Sequence, residues 1–197
     1  MISITWYDSP LGRMLATAED NALTGLYFID QKYYPQATDD WRENDKAQPF
    51  AALRLQLDEY FAGKRRDFDL PMNPGGSRGT SFQRKVWSSI AAVPFGDTVS
   101  YAMLATRSGR PSAARASGAA TGRNPISLIV PCHRIVGSGG ALTGYAGGLA
   151  RKRVLLAFER AVAAGERCEF SRVVAEMEAA SLQPAPRPER QPELALR

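Results

Sequence analysis

Apolar residues recur along this chain with two different periods, and the change from one to the other divides it. Near the start the period is two. Ile2, Ile4 and Trp6 alternate with Ser3 and Thr5, the pattern of a half-buried strand. Ser9-Pro10-Leu11-Gly12 reads as a turn and Met14 to Ala18 as a second strand, with Asn21 turning the chain into a third over Leu23–Ile29. Three short strands joined by tight turns predict an antiparallel meander. Residues 31–48 are polar and predict irregular structure.

From Pro49 the period becomes helical. Phe50, Leu53, Leu57 and Tyr60/Phe61 share one face, and Gly63 is placed to end that helix. Lys64-Arg65-Arg66 follows, where cations complement the helix dipole as a solvated cap. Asn73-Pro74-Gly75-Gly76-Ser77 reads as a linker and sets an expected boundary. A second helix opens with Thr80-Ser81-Phe82-Gln83, a capping box, and carries Phe82, Val86, Ile90 and Val93 on its apolar face, with Trp87 alongside. Ser100 can cap a short helix through Thr106. After the turn Ser108-Gly109-Arg110-Pro111, Ser112 can cap another that runs to about Thr121. Two short helices around a Gly-containing turn have helix-turn-helix proportions. Ile126, Leu128, Ile129 and Val130 form a short apolar run that predicts a buried strand. Val154, Leu155 and Phe158 mark a last core helix opened by Arg151-Lys152-Arg153, and residues 166–180 can form another. From Pro184 the tail is rich in Pro and charge and predicts disorder.

Charge separates the sections further. Residues 1–77 carry a net of −4, residues 78–160 a net of +10 and residues 161–197 a net of −1. A concentrated positive section suits a polyanionic partner such as nucleic acid, although a solvated basic face would look the same. The second helix of the pair, Ala113-Ala114-Arg115-Ala116-Ser117-Gly118-Ala119-Ala120, holds one long cation among small residues. A helix that spells out bases in the major groove carries several long donors. This one is smooth enough for a narrow groove and has a single side chain to insert. Tight packing inside the fold, with Arg115 at its edge, is the alternative. The two cysteines, Cys132 and Cys168, form neither a disulfide framework nor metal-ligand spacing, and a reducing cytoplasmic setting is expected. The N-terminus has no signal-peptide pattern and no stretch approaches a membrane span.

Cys132 lies beside His133, the only histidine in the chain, and precedes a glycine-studded stretch from Gly137 to Gly148. A thiolate is the nucleophile, so a reactive Cys132 needs a base or a positive environment. His133 is the one imidazole available. Neighbouring residues on an extended segment point to opposite faces, so a turn or a bridging water is needed to bring the pair together. A carboxylate to orient the imidazole must come, within the basic section, from Asp97 or Glu159. A buried inert cysteine beside a satisfied histidine is the competing interpretation of the pair alone.

Pro131-Cys132-His133-Arg134, the preceding Asn124-Pro125, the following Gly144-Tyr145-Ala146-Gly147-Gly148, and the helix pair with Ser100-Tyr101 and Ala114-Arg115-Ala116 agree in order and spacing with one family. The sequence resembles the O6-alkylguanine-DNA alkyltransferases over roughly residues 1–160, most closely from about 80 to 160. The resemblance implies an α+β fold. A small N-terminal α/β domain over 1–76, an antiparallel meander plus helix of ribonuclease H-like type, would precede a mainly helical, winged helix-turn-helix-like domain over 77–165. Residues 166–197 would form an extension without counterpart in the family.

It implies specific roles as well. Cys132 would accept the alkyl group of an O6-alkylguanine, with O4-alkylthymine as a second candidate substrate. His133 would draw the thiol proton through a water, oriented by Glu159, and Asn124 would hold the turn into the active site. Arg115 would enter the base stack from a DNA-facing surface of Ala114, Ala116 and Gly118. Tyr101 would help rotate the nucleotide, and the carbonyls of Cys132 and Ile135 would accept the exocyclic amine of the extruded base. Tyr145 and the Ala146 N–H would lie beside O6, Thr121 at the pocket wall, and Ser138 on phosphate. The partner would be double-stranded DNA held through its minor groove by a protein that is monomeric in solution and can assemble cooperatively on DNA. No cofactor is implied, and the extra cysteines of metal-binding relatives are missing, so no metal is expected. Ser117 and Thr143 depart from the usual residues. The rival expectation is a non-enzymatic alkyltransferase-like protein, but those relatives lack the cysteine that stands here at position 132.

Overall fold

The computed structural model describes residues 1–76, 79–166 and 168–181, the last six by backbone alone. The meander is present as β1 (Ile2–Ser9), β2 (Gly12–Glu19) and β3 (Ala22–Phe28), paired antiparallel in sequence. A fourth strand, β4 (Trp41–Glu43), lies parallel to β1 at the sheet edge, so the sheet order is β3-β2-β1-β4. It corrects the expectation of wholly irregular structure over 31–48. With three residues and two charges, β4 carries no readable alternation. The face of β1 that is buried also differs from the expected one. Thr5 is buried while Ile2, Ile4 and Trp6 are half-exposed. The helix α1 (Phe50–Phe61) covers the Thr5 and Tyr7 side, where Arg54 and Asp45 bond the Thr5 hydroxyl and Tyr7 donates to Asp58.

The α1 helix buries Phe50, Leu53, Leu57, Tyr60 and Phe61, as the periodicity predicts, and Gly63 follows it at a positive φ of 71°. The basic cluster beyond it is not merely solvated. Arg65 pairs with Glu59 at 2.6 Å, and Arg66 reaches the Val162 carbonyl at 3.1 Å.

The second section begins with α2 (Ser81–Ala91), whose capping box is complete in both directions. Trp87 from α2 donates its indole N–H to the Ala120 carbonyl and so ties α2 to α4 (Ala114–Gly122). Between them, β5 (Val99–Ser100) leads into α3 (Tyr101–Arg107), capped by Ser100 as expected. The expected Ser112 cap is not formed. Helix α4 starts after Ala113 without a side-chain cap, and Ser117 N–H donates to the Ala113 carbonyl to close its first turn. The short β6 (Ile135–Val136) pairs parallel with β5. Then α5 (Leu149–Ala163) runs through the core, and α6 (Phe170–Ser181) follows it. Phe170 fits edge-on between Phe61 of α1 and Phe158 of α5, so the C-terminal helix fastens both sections together. The expected disorder from Pro184 falls outside the described residues.

The two sections share one core and one hydrogen-bonded seam. The outer edge of β3 is paired at both ends. Leu23 and Thr24 exchange backbone bonds with Pro71 and with Asn73 and Gly75 of the stretch read as a linker. Further along, Leu26 N–H donates to the Pro125 carbonyl and Ser127 N–H to the Leu26 carbonyl. An edge strand with free N–H and C=O groups is thereby closed on itself, and the loop leading to Cys132 is anchored to the sheet.

One polar group in this packing is poorly served. Ser117 points into the core rather than toward the outside of α4, is fully buried, and its hydroxyl has no hydrogen-bond partner. A buried unpaired hydroxyl costs about 1–3 kcal/mol. Ser117→Ala is expected to stabilise the protein by about 1 kcal/mol in urea unfolding; a loss of stability would mean that the hydroxyl is satisfied in solution.

Candidate active site

The residues preceding Cys132 do not form the buried strand that their apolar run predicts. Residues 126–130 make a tight loop in which Leu128 adopts a positive φ of 71°. A branched side chain is disfavoured there, so the surroundings must impose it. Asn124 does much of this. Its amide nitrogen donates to the Val130 carbonyl at 2.7 Å and the Ile126 carbonyl at 3.3 Å, and its oxygen accepts the Ile126 N–H at 3.1 Å. The same nitrogen lies 3.0 Å from Cys132 Sγ. Asn124 therefore sets the loop and contacts the thiol.

Cys132–Arg134 form one turn of 3-10 helix. Three residues per turn send three successive side chains in three directions, which the alternation of a strand cannot do. Cys132 meets Asn124, while His133 and Arg134 both reach Glu159 on α5. His133 Nε2 lies 2.9 Å from Glu159 Oε1; Arg134 donates Nε to Oε2 at 2.8 Å and Nη2 to Oε1 at 3.0 Å. The Tyr60 hydroxyl donates to Oε1 at 2.7 Å and the Gly96 N–H to Oε2 at 3.2 Å. All of His133, Glu159 and Tyr60 is buried.

Electrostatics follow from this packing. Burial alone would raise the Glu159 carboxyl, but His133 and Arg134 outweigh it and hold it well below the usual carboxylate range. An ionised Glu159 accepts, so His133 carries its proton on Nε2 when neutral, leaving Nδ1 as a buried acceptor with no partner. Burial lowers the His133 pKa more than Glu159 raises it, so the ring is neutral at pH 7. Burial pushes the Cys132 thiol up to about 11, partly opposed by the Asn124 bond and by Lys152. At pH 7 only about one thiol in ten thousand would ionise unaided.

Lys152 is the second buried cation. Its Nζ donates to the Ile135 carbonyl at 2.5 Å, the Thr143 carbonyl at 2.6 Å and the Gly144 carbonyl at 3.4 Å, joining β6 to the glycine-rich loop. Burial brings its pKa down to about 8. Tyr101, half-buried, closes the other side of the loop by donating to the Gly144 carbonyl at 3.0 Å. Tyr145 stands edge-on to the His133 ring, 6.3 Å between centroids, with its hydroxyl buried and unpartnered. The Ala146 carbonyl accepts the Lys32 N–H, so the loop is also pinned beyond β3.

The structure thus brings Cys132, His133, Glu159 and Asn124 into one cluster, with Tyr101, Ile135, Tyr145 and Ala146 around it. Thr121 is buried, and its hydroxyl is spent on the Ser117 carbonyl within α4. On the outside of α4, Arg115 and Ala116 are exposed, and Ala114 and Gly118 half-buried. Gly118 faces the Tyr101 ring, 3.6 Å from where a Cβ would stand. Ser138 is exposed in a second 3-10 turn, Ser138–Gly140. Tyr60, Arg134 and Lys152 are participants that the sequence reading left without a role. For Lys152 a signal existed: it is two helical turns before Glu159, on the face marked by Leu155. Among the described residues no group of three or more His, Cys, Asp or Glu side chains is arranged to hold a metal ion, and no helix is long and apolar enough to cross a membrane.

A ribonuclease-like sheet domain joined to a helix-turn-helix domain that buries a Cys-His-Glu cluster defines a narrow class. Residues 2–74 match the ribonuclease-like domain, and residues 81–161 the DNA-binding domain, of 6-O-methylguanine DNA methyltransferase. The chain is 47% identical over 160 residues to the methylated-DNA–protein-cysteine methyltransferase of Mycolicibacterium paratuberculosis, covering 81% of this chain and 93% of that protein. It is 40% identical over 153 residues to the one from Methanosarcina acetivorans, covering 78% and 95% respectively. The crystal structure of Mycobacterium tuberculosis OGT in complex with DNA superposes with a TM-score of 0.78 at 39% identity, over 87% of this chain and 98% of that one. The chain belongs to the methylated-DNA–protein-cysteine methyltransferase family.

The Glu159 cluster yields a direct test. Removing one member of a buried ion pair leaves the other charge uncompensated, at a cost of about 3–5 kcal/mol. Arg134→Met is expected to lose about that much in urea unfolding. Adding Glu159→Gln to it is expected to cost clearly less than the two single changes together; additive losses would show that the pair is not coupled.

Proposed function

We propose that this protein repairs O6-alkylguanine in duplex DNA by moving the alkyl group onto Cys132, once per protein molecule. The observation that carries the assignment is the buried thiol held by Asn124 beside a His133 whose Nε2 is committed to Glu159 and whose Nδ1 is free. The neutral Nδ1 is the base. Through a bridging water it draws the Cys132 proton, and the imidazolium formed is stabilised by Glu159. The sulfur attacks the alkyl carbon, a C–S bond forms, the C–O6 bond breaks, and the guanine keeps the bonding pair and regains a proton. A thioether has no easy route back to a thiol, so the protein is consumed.

The target atom lies inside the base stack, and the base must leave it, at a cost of a few kcal/mol that damage lowers. The small-residue surface of Ala114, Ala116 and Gly118, exposed at Ala116 and half-buried at the other two, suits a close approach to the minor groove, with Arg115 filling the gap in the stack. Tyr101, next to Gly118 and the 143–144 loop, assists rotation of the nucleotide. Backbone donors at Tyr145 and Ala146 stabilise the charge that develops on the purine. The Ile135 carbonyl, already bonded by Lys152, retains a second lone pair for the exocyclic amine, alongside Cys132. Thr121 would stand at the pocket wall, and Ser138, exposed, would meet phosphate. The +10 section supplies the attraction for DNA, on which a monomer binds and can assemble cooperatively. A reducing cytoplasm keeps the thiol free.

Incubation with duplex DNA containing O6-methylguanine is expected to add one methyl group to the peptide carrying Cys132, read by mass spectrometry, and Cys132→Ser to abolish transfer while leaving DNA binding intact. Methylation of Cys168 instead would overturn the assignment.

The pH dependence of the single-turnover rate tests the relay. With a base at hand, the rate is level between the His133 and Cys132 pKa values and falls only on an acid limb that lies lower than an ordinary histidine would give, because burial lowers His133. Were the thiol to ionise unaided, the rate would instead climb about tenfold per pH unit toward 11.

A further inference from the structure

Among the five hydrogen bonds to Glu159, one comes from the other domain. Tyr60 lies on α1, 99 positions away in sequence, yet its hydroxyl donates to Glu159 Oε1, the oxygen that also meets His133 Nε2. We infer that Tyr60 is a positioning residue for alkyl transfer: it fixes Glu159 Oε1 and limits how strongly that oxygen draws a proton onto His133. The inference rests on the His133 relay proposed above.

The local packing supports a dedicated role. Tyr60 is fully buried, and its ring is boxed by Phe61, Phe68, Phe95 and Phe158 at centroid distances of 5.2, 5.6, 6.0 and 5.8 Å. A phenylalanine would satisfy such a box. The hydroxyl costs desolvation and is recovered only by its bond to the carboxylate. Burial, followed by the Glu159 charge, pushes its pKa well above the ordinary tyrosine value, so it remains a donor at every working pH.

The consequence for His133 has a definite sign. The groups facing the imidazole are Glu159, which favours the imidazolium, Arg134 and Lys152, which oppose it, and Tyr145 and Cys132, which are neutral at rest. Those on Glu159 are His133, Arg134, Tyr60 and the Gly96 N–H. Each donor on Oε1 shares the electron density that an imidazolium N–H would use. Taking away the phenol leaves more of it for His133, and the His133 pKa rises.

Tyr60→Phe keeps the ring and removes the bond. Because His133 is the only histidine, a 15N-histidine spectrum of the intact protein reads this one ring. The expected result is a His133 pKa about one unit higher than in the parent, with the acid limb of the transfer rate moving up by the same amount. Phe68→Leu, which loosens the same box without touching the hydroxyl, is expected to lower Tm while leaving both readings in place. An unmoved ring titration in Tyr60→Phe overturns the inference, whatever its Tm. The spectrum requires only folded protein, so it decides the matter at low temperature even in a weakened variant. Loss of the acid limb in the parent protein would instead overturn the relay itself.

Discussion

A carboxylate sealed from solvent is tolerable only when its lone pairs are filled, and Glu159, on α5, meets that condition with donors from three other stretches of chain. Tyr60 comes from the sheet domain, Gly96 from the turn after α2, and His133 and Arg134 from the 3-10 turn. None of these elements can shift by much without leaving a buried charge unpaired, a change worth several kcal/mol. The placement of the reactive thiol follows from this constraint, because Cys132 immediately precedes two of the residues that Glu159 holds.

The same arrangement resolves a conflict between reactivity and burial. A thiol removed from water loses its tendency to ionise, and here burial outweighs the help of Asn124 and Lys152. Such a group is inert toward small electrophiles in solution and protected from oxidation. The neutral imidazole beside it has one nitrogen committed to Glu159 and one free, so under the proposed relay a base would be supplied only within the pocket. On that proposal, selectivity would come from the substrate reaching the sulfur, while the sulfur itself stays in its protonated resting state.

Much of this architecture could be read from the chain. The meander, the α1 stripe, the Thr80 capping box and the Ser100 cap each depend on local periodicity or capping chemistry, and all are present. What escaped depends on tertiary context. The short β4 has no alternation of its own and exists because β1 offers an edge. Thr5 is buried rather than Ile4 because Arg54 of α1 and Asp45 of the turn before it both bond its hydroxyl. The apolar run before Cys132 looked like a strand, but Asn124 and the β3 edge bend it into a loop that a period of two cannot foresee. In the site, Cys132 and His133 stood out as neighbours, whereas spacing left Asp97 and Glu159 as alternatives, and Asn124 entered only through the family resemblance. Tyr60 gave no sign, because it resembles any core aromatic, and the one sign of Lys152 was its helical spacing from Leu155 and Glu159, inside a run of cations.

The paired edge of β3 carries a consequence for how the chain can be divided. At one end that strand bonds residues 71–75, and at the other it bonds Pro125 and Ser127, a few residues before the thiol. Cutting between the domains would leave two raw surfaces: a strand with open amides, and a reactive loop deprived of the template that bends it. Across the boundary suggested by composition, the backbone bonds of Leu26 to Pro125 and Ser127 run from sheet to loop. Mechanically the molecule is a single unit, in which a scaffold strand without any catalytic side chain serves as the last in line of the active site's own backbone.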